Sequence, residues 1–142
     1  MILPDVNPLV YAVHRESDQH HWARPWLDDL VNGPSDFAMS ELVLSGFVRV
    51  VTNPRLWRIP LAAPDAVGVI ERIAARPTCR LLRPGPRHLR IFLDFCTSLG
   101  LRGNEVPDAY HAALAIESGS EWVTADRGFG RFPGLRWRHP LD

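Results

Sequence analysis

Two kinds of hydrophobic pattern alternate along the chain, and they predict alternating strands and helices. Short apolar runs predict strands at 2–4, 37–39, 79–82, 121–124 and 135–138. Apolar residues spaced three or four positions apart predict helices from residue 8 and over 19–31, 40–51, 65–75, 89–99 and 107–117. Strands that alternate with helices are typical of a mainly parallel sheet covered on both faces. The pattern therefore predicts a three-layer α/β/α sandwich.

Polar side chains follow the first predicted strand at once. Asn7 precedes Pro8, and a side-chain acceptor followed by a proline of fixed φ is a favourable start for a helix. We expect Asn7 to cap that helix, which leaves the carboxylate of Asp5 free for another role.

Length and composition indicate one folded domain over residues 1–142. Hydrophobic residues make up 46% of the chain and charged residues 23%, which are ordinary values for globular proteins. The N-terminus has no basic leader or cleavage signature, and no apolar run approaches the ~20 residues of a membrane span. Cys79 and Cys96 lie in apolar contexts, so we expect core thiols. Together these features predict a cytoplasmic protein without membrane association.

The charged residues exclude several enzyme classes. The formal net charge is zero, so there is no overall basic field that would attract nucleic acid. All sixteen basic residues are arginine, a bias that reflects genome composition or suits phosphate contacts. Phospho-receiver domains and P-loop nucleotide hydrolases need a lysine, and this chain has none. Haloacid-dehalogenase-like phosphatases need an acid two residues after the nucleophilic aspartate, where this chain has Asn7, so that class is only weakly supported.

Four acidic residues lie where strands are predicted to end or helices to begin: Asp5, Glu41, Asp108 and Asp126. In an open parallel sheet the ligand site lies beyond the carboxyl ends of the strands. A carboxylate in the first turn of a helix gains about 0.3–1 kcal/mol, which explains any single one of them. Four of them at one predicted edge indicate a shared site.

Carboxylates that converge in apolar surroundings need a counter-charge. Glu41 lies in the apolar segment SELVLSGFVRV and Asp108 begins DAYHAALAIE, so unpaired charges there would raise a pKa or destabilise the fold. Oxygen ligands without a suitable Cys or His set favour Mg²⁺ or Mn²⁺ over Zn²⁺. Such a site suits hydrolysis of a nucleic-acid phosphodiester. Arginines and aromatic residues such as Trp57 and Trp137 are candidate contacts to phosphates and bases. Trp57 is expected to be the most exposed of them, although packing is the favoured interpretation.

Four sequence blocks resemble PIN-domain ribonucleases in their order and approximate spacing. They are LPDVNPLVYA, SELVLSGFVRVVTNPR, VPDAYHAALAIESG and WVTADRGFGRFPGLRW, and together they span nearly the whole chain. More narrowly, they resemble the toxin component of bacterial VapBC toxin–antitoxin pairs.

This resemblance implies a five-stranded parallel sheet and a Mg²⁺ or Mn²⁺ site at which a metal-activated water cleaves RNA endonucleolytically. The acids that it assigns to catalysis and to the metal are Asp5, Glu41, Asp108 and Asp126, supported by Asn7 and Thr124. It also implies a homodimer and a cognate antitoxin whose C-terminal segment enters the active-site groove.

The chain departs from the family pattern at one position. Many relatives carry an aspartate where this chain has Gly128, which leaves the number of metal ions, one or two, open. Glu105 could compensate, although a solvated loop charge is the favoured interpretation. His111 could touch substrate, although a buried and hydrogen-bonded imidazole is favoured. The alternative function is a catalytically silent PIN-like module that binds RNA or protein; we favour the nuclease because a silent site has no need to keep four mutually repelling acids.

Overall fold

A computed structural model describes residues 1–142 and contains five strands and six α-helices. The strands are β1 (Ile2–Pro4), β2 (Phe37–Ser40), β3 (Cys79–Leu82), β4 (Glu121–Val123) and β5 (Trp137–Arg138). The helices are α1 (Val6–Val13), α2 (His20–Asn32), α3 (Glu41–Val51), α4 (Ala63–Ala74), α5 (His88–Ser98) and α6 (Val106–Ser118). Two short 3₁₀ helices, Gly103–Glu105 and Arg127–Arg131, complete the regular structure.

The five strands form one parallel sheet in the order β3-β2-β1-β4-β5. The chain runs outward from β1 to β3, then crosses back and continues from β4 to β5. The strand order therefore reverses between β1 and β4, and ligands of open parallel sheets bind at such a point, beyond the carboxyl ends of the strands. This topology confirms the predicted α/β class and the parallel sheet.

The helices form two groups. Helices α1 to α4 pack on one another, and α5 packs on α6. Parallel crossovers are right-handed, so the groups that accompany the outward and the returning crossovers cover opposite faces of the sheet. Residues 37–40 of β2 are all buried, as expected for a strand covered on both sides. No helix combines the length with the apolar character that a membrane crossing requires.

The core is centred on Trp122 of β4, whose side chain is fully buried with Phe129 beside it. Most of the buried positions of helix α6 are alanines. Four of its alanines have no exposed surface: Ala109, Ala112, Ala113 and Ala115. The helix ends at Gly119, whose φ of 67° is a left-handed conformation that glycine adopts without steric cost. Cys79 and Cys96 are free and half-buried, consistent with the prediction of thiols rather than a disulfide.

The predicted start of the first helix is wrong. Helix α1 begins at Val6, and its N-cap is Asp5, whose Oδ1 accepts a hydrogen bond from the Val6 N–H at 2.6 Å. The amide of Asn7 is instead engaged across the sheet, where its Oδ1 accepts a hydrogen bond from the Ala125 N–H at 2.9 Å. Asp5 is therefore not free of a capping role, although only one of its two carboxylate oxygens serves as the cap.

Candidate active site

Three of the predicted acids line one cleft at the point where the strand order reverses. Asp5 follows β1, Asp126 follows β4, and Asp108 lies in the first turn of α6. The Asp5 N–H donates to the Val123 carbonyl at 2.8 Å, which continues the pairing of β1 with β4 to the mouth of the cleft. The cleft has a volume of about 570 Å³. Adjacent parallel strands thus bring together carboxylates that are more than a hundred residues apart in the chain.

The carboxylate of Asp5 is held by a network of buried hydrogen bonds. Its Oδ2 accepts from the Thr124 hydroxyl at 2.7 Å and from the Asn7 amide nitrogen at 3.3 Å. Thr124 is fully buried, and its Oγ1 in turn accepts from the Asp126 N–H at 3.0 Å. Thr124 therefore links the two strand ends through a single hydroxyl. Asn7 and Thr124, predicted as supporting residues, both contact Asp5 directly.

The electrostatics of the cleft disfavour an ionised Asp5. Only 7% of Asp5 is exposed, and this burial raises its pKa from 3.8 to about 6. The hydrogen bonds from Thr124 and Val6 oppose the rise, while the charges of Asp108 and Asp126 add to it. Burial, together with Asp5 and Asp126, also raises the pKa of Tyr11, which lines the same cleft. The carboxylates of the cleft therefore repel one another.

Asp108 and Asp126 each have a partner outside the Asp5 network. The Arg131 guanidinium donates from Nη2 to Asp108 Oδ2 at 2.7 Å. Burial raises the pKa of Asp108, and the Arg131 charge opposes that rise. Asp126 caps the second 3₁₀ helix, because its Oδ1 accepts from the Gly128 N–H at 2.8 Å. Arg131 was not among the predicted site residues, although it lies in the same sequence block as Asp126.

Glu41 lies outside this cleft. Its side chain is 53% exposed and forms an ion pair with Arg83, with 2.8 Å between Oε1 and Nη2. The buried face of α3 is formed by other positions: Val43, Leu44, Phe47 and Val51. Glu41 is exposed in the first turn of this helix, so the apolar sequence around it does not surround its carboxylate. The structure brings three of the four predicted acids together, and a metal-binding role for Glu41 stays a prediction.

The donor set of the cleft suits a hard divalent cation. Its three acids supply oxygen ligands, and their mutual repulsion would be offset by a bound ion. No group of three or more His, Cys, Asp or Glu side chains is gathered closely enough to hold an ion. Asp108, in particular, is paired with Arg131.

His111 and Trp57 also line the cleft, and the structure agrees with the favoured interpretation fully for Trp57 but only in part for His111. His111 is buried and stacks on Trp122 with 5.1 Å between ring centroids, but its Nδ1 has no hydrogen-bond partner. The expectation of a hydrogen-bonded imidazole is therefore wrong for Nδ1. Burial lowers the pKa of His111 to about 4. Trp57 packs, as favoured, because it stacks on His14 at 3.8 Å and donates to the Val50 carbonyl at 2.9 Å.

Glu105 also has a structural role. Its side chain accepts a hydrogen bond from the Arg102 N–H at 3.1 Å at the first 3₁₀ helix, and the residue is exposed. It does not line the cleft. These observations agree with the favoured interpretation of Glu105 as a solvated loop charge.

The fold, the strand-end acids and the family comparison agree on the class of protein. The family model described as the PIN domain matches residues 2–135, and this chain belongs to the PIN domain family. Within it, the chain is 42% identical to Ribonuclease VapC43 of Mycobacterium tuberculosis over 142 residues, which cover 100% of this chain and 97% of that protein.

Solved structures support the same fold. VapBC-1 from nontypeable Haemophilus influenzae matches with a TM-score of 0.71 at 15% identity, covering 100% of both chains. The Sarcin-Ricin loop cleaving toxin VapC20 of Mycobacterium tuberculosis matches with a TM-score of 0.68 at 16% identity, covering 96% of this chain and 99% of that one. At these identities the likeness concerns the fold alone. The resemblance to PIN-domain, VapC-type proteins expected from the sequence is confirmed by the family match and by the full-length relative.

Proposed function

We propose that this protein is a Mg²⁺- or Mn²⁺-dependent endoribonuclease that acts as the toxin of a type II toxin–antitoxin pair. The observation that carries the proposal is the convergence of Asp5, Asp108 and Asp126 in one cleft at the switch point of the sheet. A full-length relative named as a VapC ribonuclease supports the choice of RNA as substrate.

The residues of the cleft have separable roles in this proposal. Asp5, Asp108 and Asp126 would hold the divalent ion, with Glu41 as a fourth acid expected from the family resemblance. When bound, such an ion lowers the pKa of water and offsets charge that develops on a phosphodiester. Thr124 holds the Asp5 carboxylate in a fixed orientation through its 2.7 Å hydrogen bond.

Arg49 is the residue best placed to contact an RNA phosphate. It lines the same cleft and makes no ion pair with any residue of this chain. A guanidinium free of carboxylates can donate two parallel hydrogen bonds to phosphate oxygens. The substrate in this proposal is a single-stranded or loop RNA.

A protein antitoxin completes the proposal. A solved structure similar to this chain is named VapBC-1, and the family resemblance implies that a cognate antitoxin inserts a C-terminal segment into the groove. The proposal also includes a homodimer, which the family resemblance implies, and a cytoplasmic location, which the composition predicts. A small open reading frame next to the gene is expected to encode the antitoxin.

The test compares RNA cleavage by the wild type, Asp5→Asn and the control Asp94→Asn, whose acid is exposed and paired with Arg90. A broad panel of transcripts that includes ribosomal RNA loops is incubated with Mg²⁺, Mn²⁺ or EDTA, and new RNA ends are sequenced. Asp5→Asn is expected to cut at least on the order of 10²-fold more slowly, whereas Asp94→Asn cuts like the wild type. Cleavage that survives EDTA refutes the metal mechanism.

The second candidate is the catalytically silent binding module, and the ion pairs at the acids favour it: Arg131 holds Asp108 and Arg83 holds Glu41. The same experiment separates the two functions. If the wild type and Asp5→Asn both bind RNA and neither cuts any transcript with either metal, the protein is a binding module.

A further inference from the structure

Arg131 supplies a fixed positive charge beside the three acids. Its Nη2 donates to Asp108 Oδ2 at 2.7 Å, and its Nη1 donates to the Gly128 carbonyl at 2.8 Å. The guanidinium carbon also lies 4.7 Å from the centroid of the Phe132 ring. Both members of the ion pair are mostly buried, with 30% of the Arg131 side chain and 26% of the Asp108 side chain exposed. An ion pair so withdrawn from water is screened less than those on the surface.

The absence of a side chain at Gly128 makes room for this arrangement. A Cβ at residue 128 would lie 2.9 Å from Arg131 Nη1 and 2.9 Å from Asp126 Oδ1. A carboxylate at this position would thus stand between the arginine and the acid cluster. It would compete with Asp108 for the guanidinium and would add a fourth acid to the cleft. With glycine, Arg131 has Asp108 as its only carboxylate partner.

The charges balance with one divalent ion. The count concerns the three acids and the arginine that pairs with one of them: Asp5, Asp108 and Asp126 carry three negative charges when ionised, and the guanidinium of Arg131 neutralises one of them. A single divalent ion neutralises the other two. Arg49 lines the same cleft but forms no ion pair with these acids, and its charge is left for the phosphate of the substrate. A second divalent ion would leave two uncompensated positive charges in a partly buried site, which is unfavourable. Glu41 does not alter this balance, because it is already paired with Arg83.

We propose that Arg131 takes the electrostatic place of a second divalent cation, so that this site binds one metal ion. Arg131 acts through Asp108 and is a positioning residue, since it holds the carboxylate that the ion must share. This inference rests on the proposed function only in that the three acids are taken to bind a metal.

The test counts Mn²⁺ ions per chain and measures their affinity by calorimetry and by electron paramagnetic resonance of free Mn²⁺. The full-length wild type is expected to bind one ion. Arg131→Met is expected to bind Mn²⁺ about tenfold more tightly, because it removes a positive charge close to the ion. Arg131→Lys retains the charge and is expected to restore the wild-type affinity to within about threefold. Arg127→Met removes a charge from the same 3₁₀ helix, where Arg127 pairs with Asp142, and is expected to match the wild type.

Gly128→Asp provides a second test of the number of bound ions if circular dichroism shows that Arg131→Met does not fold. The new carboxylate adds a ligand and competes for Arg131, so this variant is expected to bind two ions. The inference is overturned, and the proposed nuclease left intact, by any of three results. These are two ions bound to the wild type, equal Mn²⁺ affinity in Arg131→Met and Arg127→Met, or a single ion bound to Gly128→Asp. A wild type that binds no Mn²⁺ would overturn both the inference and the proposed metal site.

Discussion

The buried carboxylate of Asp5 makes a prediction about stability that needs no substrate. In EDTA, ionised Asp5 faces Asp108 and Asp126 with only hydrogen bonds to stabilise its charge. Its pKa is about 6 in the folded protein and is expected to return to about 3.8 on unfolding. Between these values the folded state keeps a proton that the unfolded state has lost. The free energy of unfolding therefore falls as the pH rises from 4 to 6 and stays lowered above that range.

The magnitude follows from the two pKa values. A gap between about 6 and 3.8 corresponds to about 3 kcal/mol in full, of which about 2 kcal/mol is lost between pH 4 and pH 8, because the unfolded carboxyl is already partly ionised at pH 4. Asp5→Asn abolishes this titration. Asn retains one of the two side-chain oxygens that accept hydrogen bonds from Val6 and Thr124, and the effect of ionisation on these two bonds is already contained in the pKa of about 6. The difference in unfolding free energy between Asp5→Asn and wild type should therefore move in favour of the variant by about 2 kcal/mol from pH 4 to pH 8.

Urea unfolding in EDTA, followed by circular dichroism at half-unit pH steps, measures this difference. Asp94→Asn serves as the control, because its carboxylate is exposed and its curve should run parallel to that of the wild type. Parallel curves for the wild type and Asp5→Asn would refute the reasoning, since they would mean that Asp5 titrates at its ordinary pKa in the folded protein.

Two further predictions concern the metal and His111. At a hundred times its dissociation constant, Mg²⁺ should raise the wild-type unfolding free energy by about 2.7 kcal/mol, and the rise should be smaller for Asp5→Asn. A wild-type melting temperature that is unchanged up to saturating Mg²⁺ would contradict this prediction. Burial holds the pKa of His111 near 4, below its ordinary 6.5, so the unfolded state gains a proton first as the pH falls. The free energy of unfolding of the wild type should therefore fall by about 3 kcal/mol between pH 7 and pH 4 relative to that of His111→Gln. Urea unfolding of both proteins checks the second prediction, and equal losses would show that the imidazole is protonated freely in the folded state.

The hydrophobic pattern was sufficient to locate the secondary structure because each element has one dominant environment. Residues 37–40 are buried on both sides and appear in the sequence as an uninterrupted apolar run that ends at Ser40. Ser40 then caps α3 as predicted, through a hydrogen bond from the Val43 N–H at 3.5 Å. At the start of α1, by contrast, two side chains could each act as the cap. The choice of Asp5 over Asn7 depends on contacts with residues 124 and 125, which the local sequence does not contain.

The partners of the acids were also beyond prediction from the sequence. Glu41 lies among apolar neighbours in the chain, yet helical geometry turns it outward to Arg83, which is 42 residues away. Arg131 reaches Asp108 across 23 residues and passes over a glycine that leaves space for it. Ion pairs of this kind depend on which helices become neighbours. Local periodicity has no information about that choice.

By itself, the sequence determined the class of fold and the candidate acids, because both follow from local patterns of burial, turns and strand ends. Only the tertiary structure decided which acids meet. The reversal of strand order places β1 beside β4, so Asp5 and Asp126 face one another and Asp108 joins them, while Glu41 lies outside the cleft. The physical reason is that the energy of a carboxylate depends on its burial and on charges brought close by non-local packing, which a one-dimensional pattern does not record.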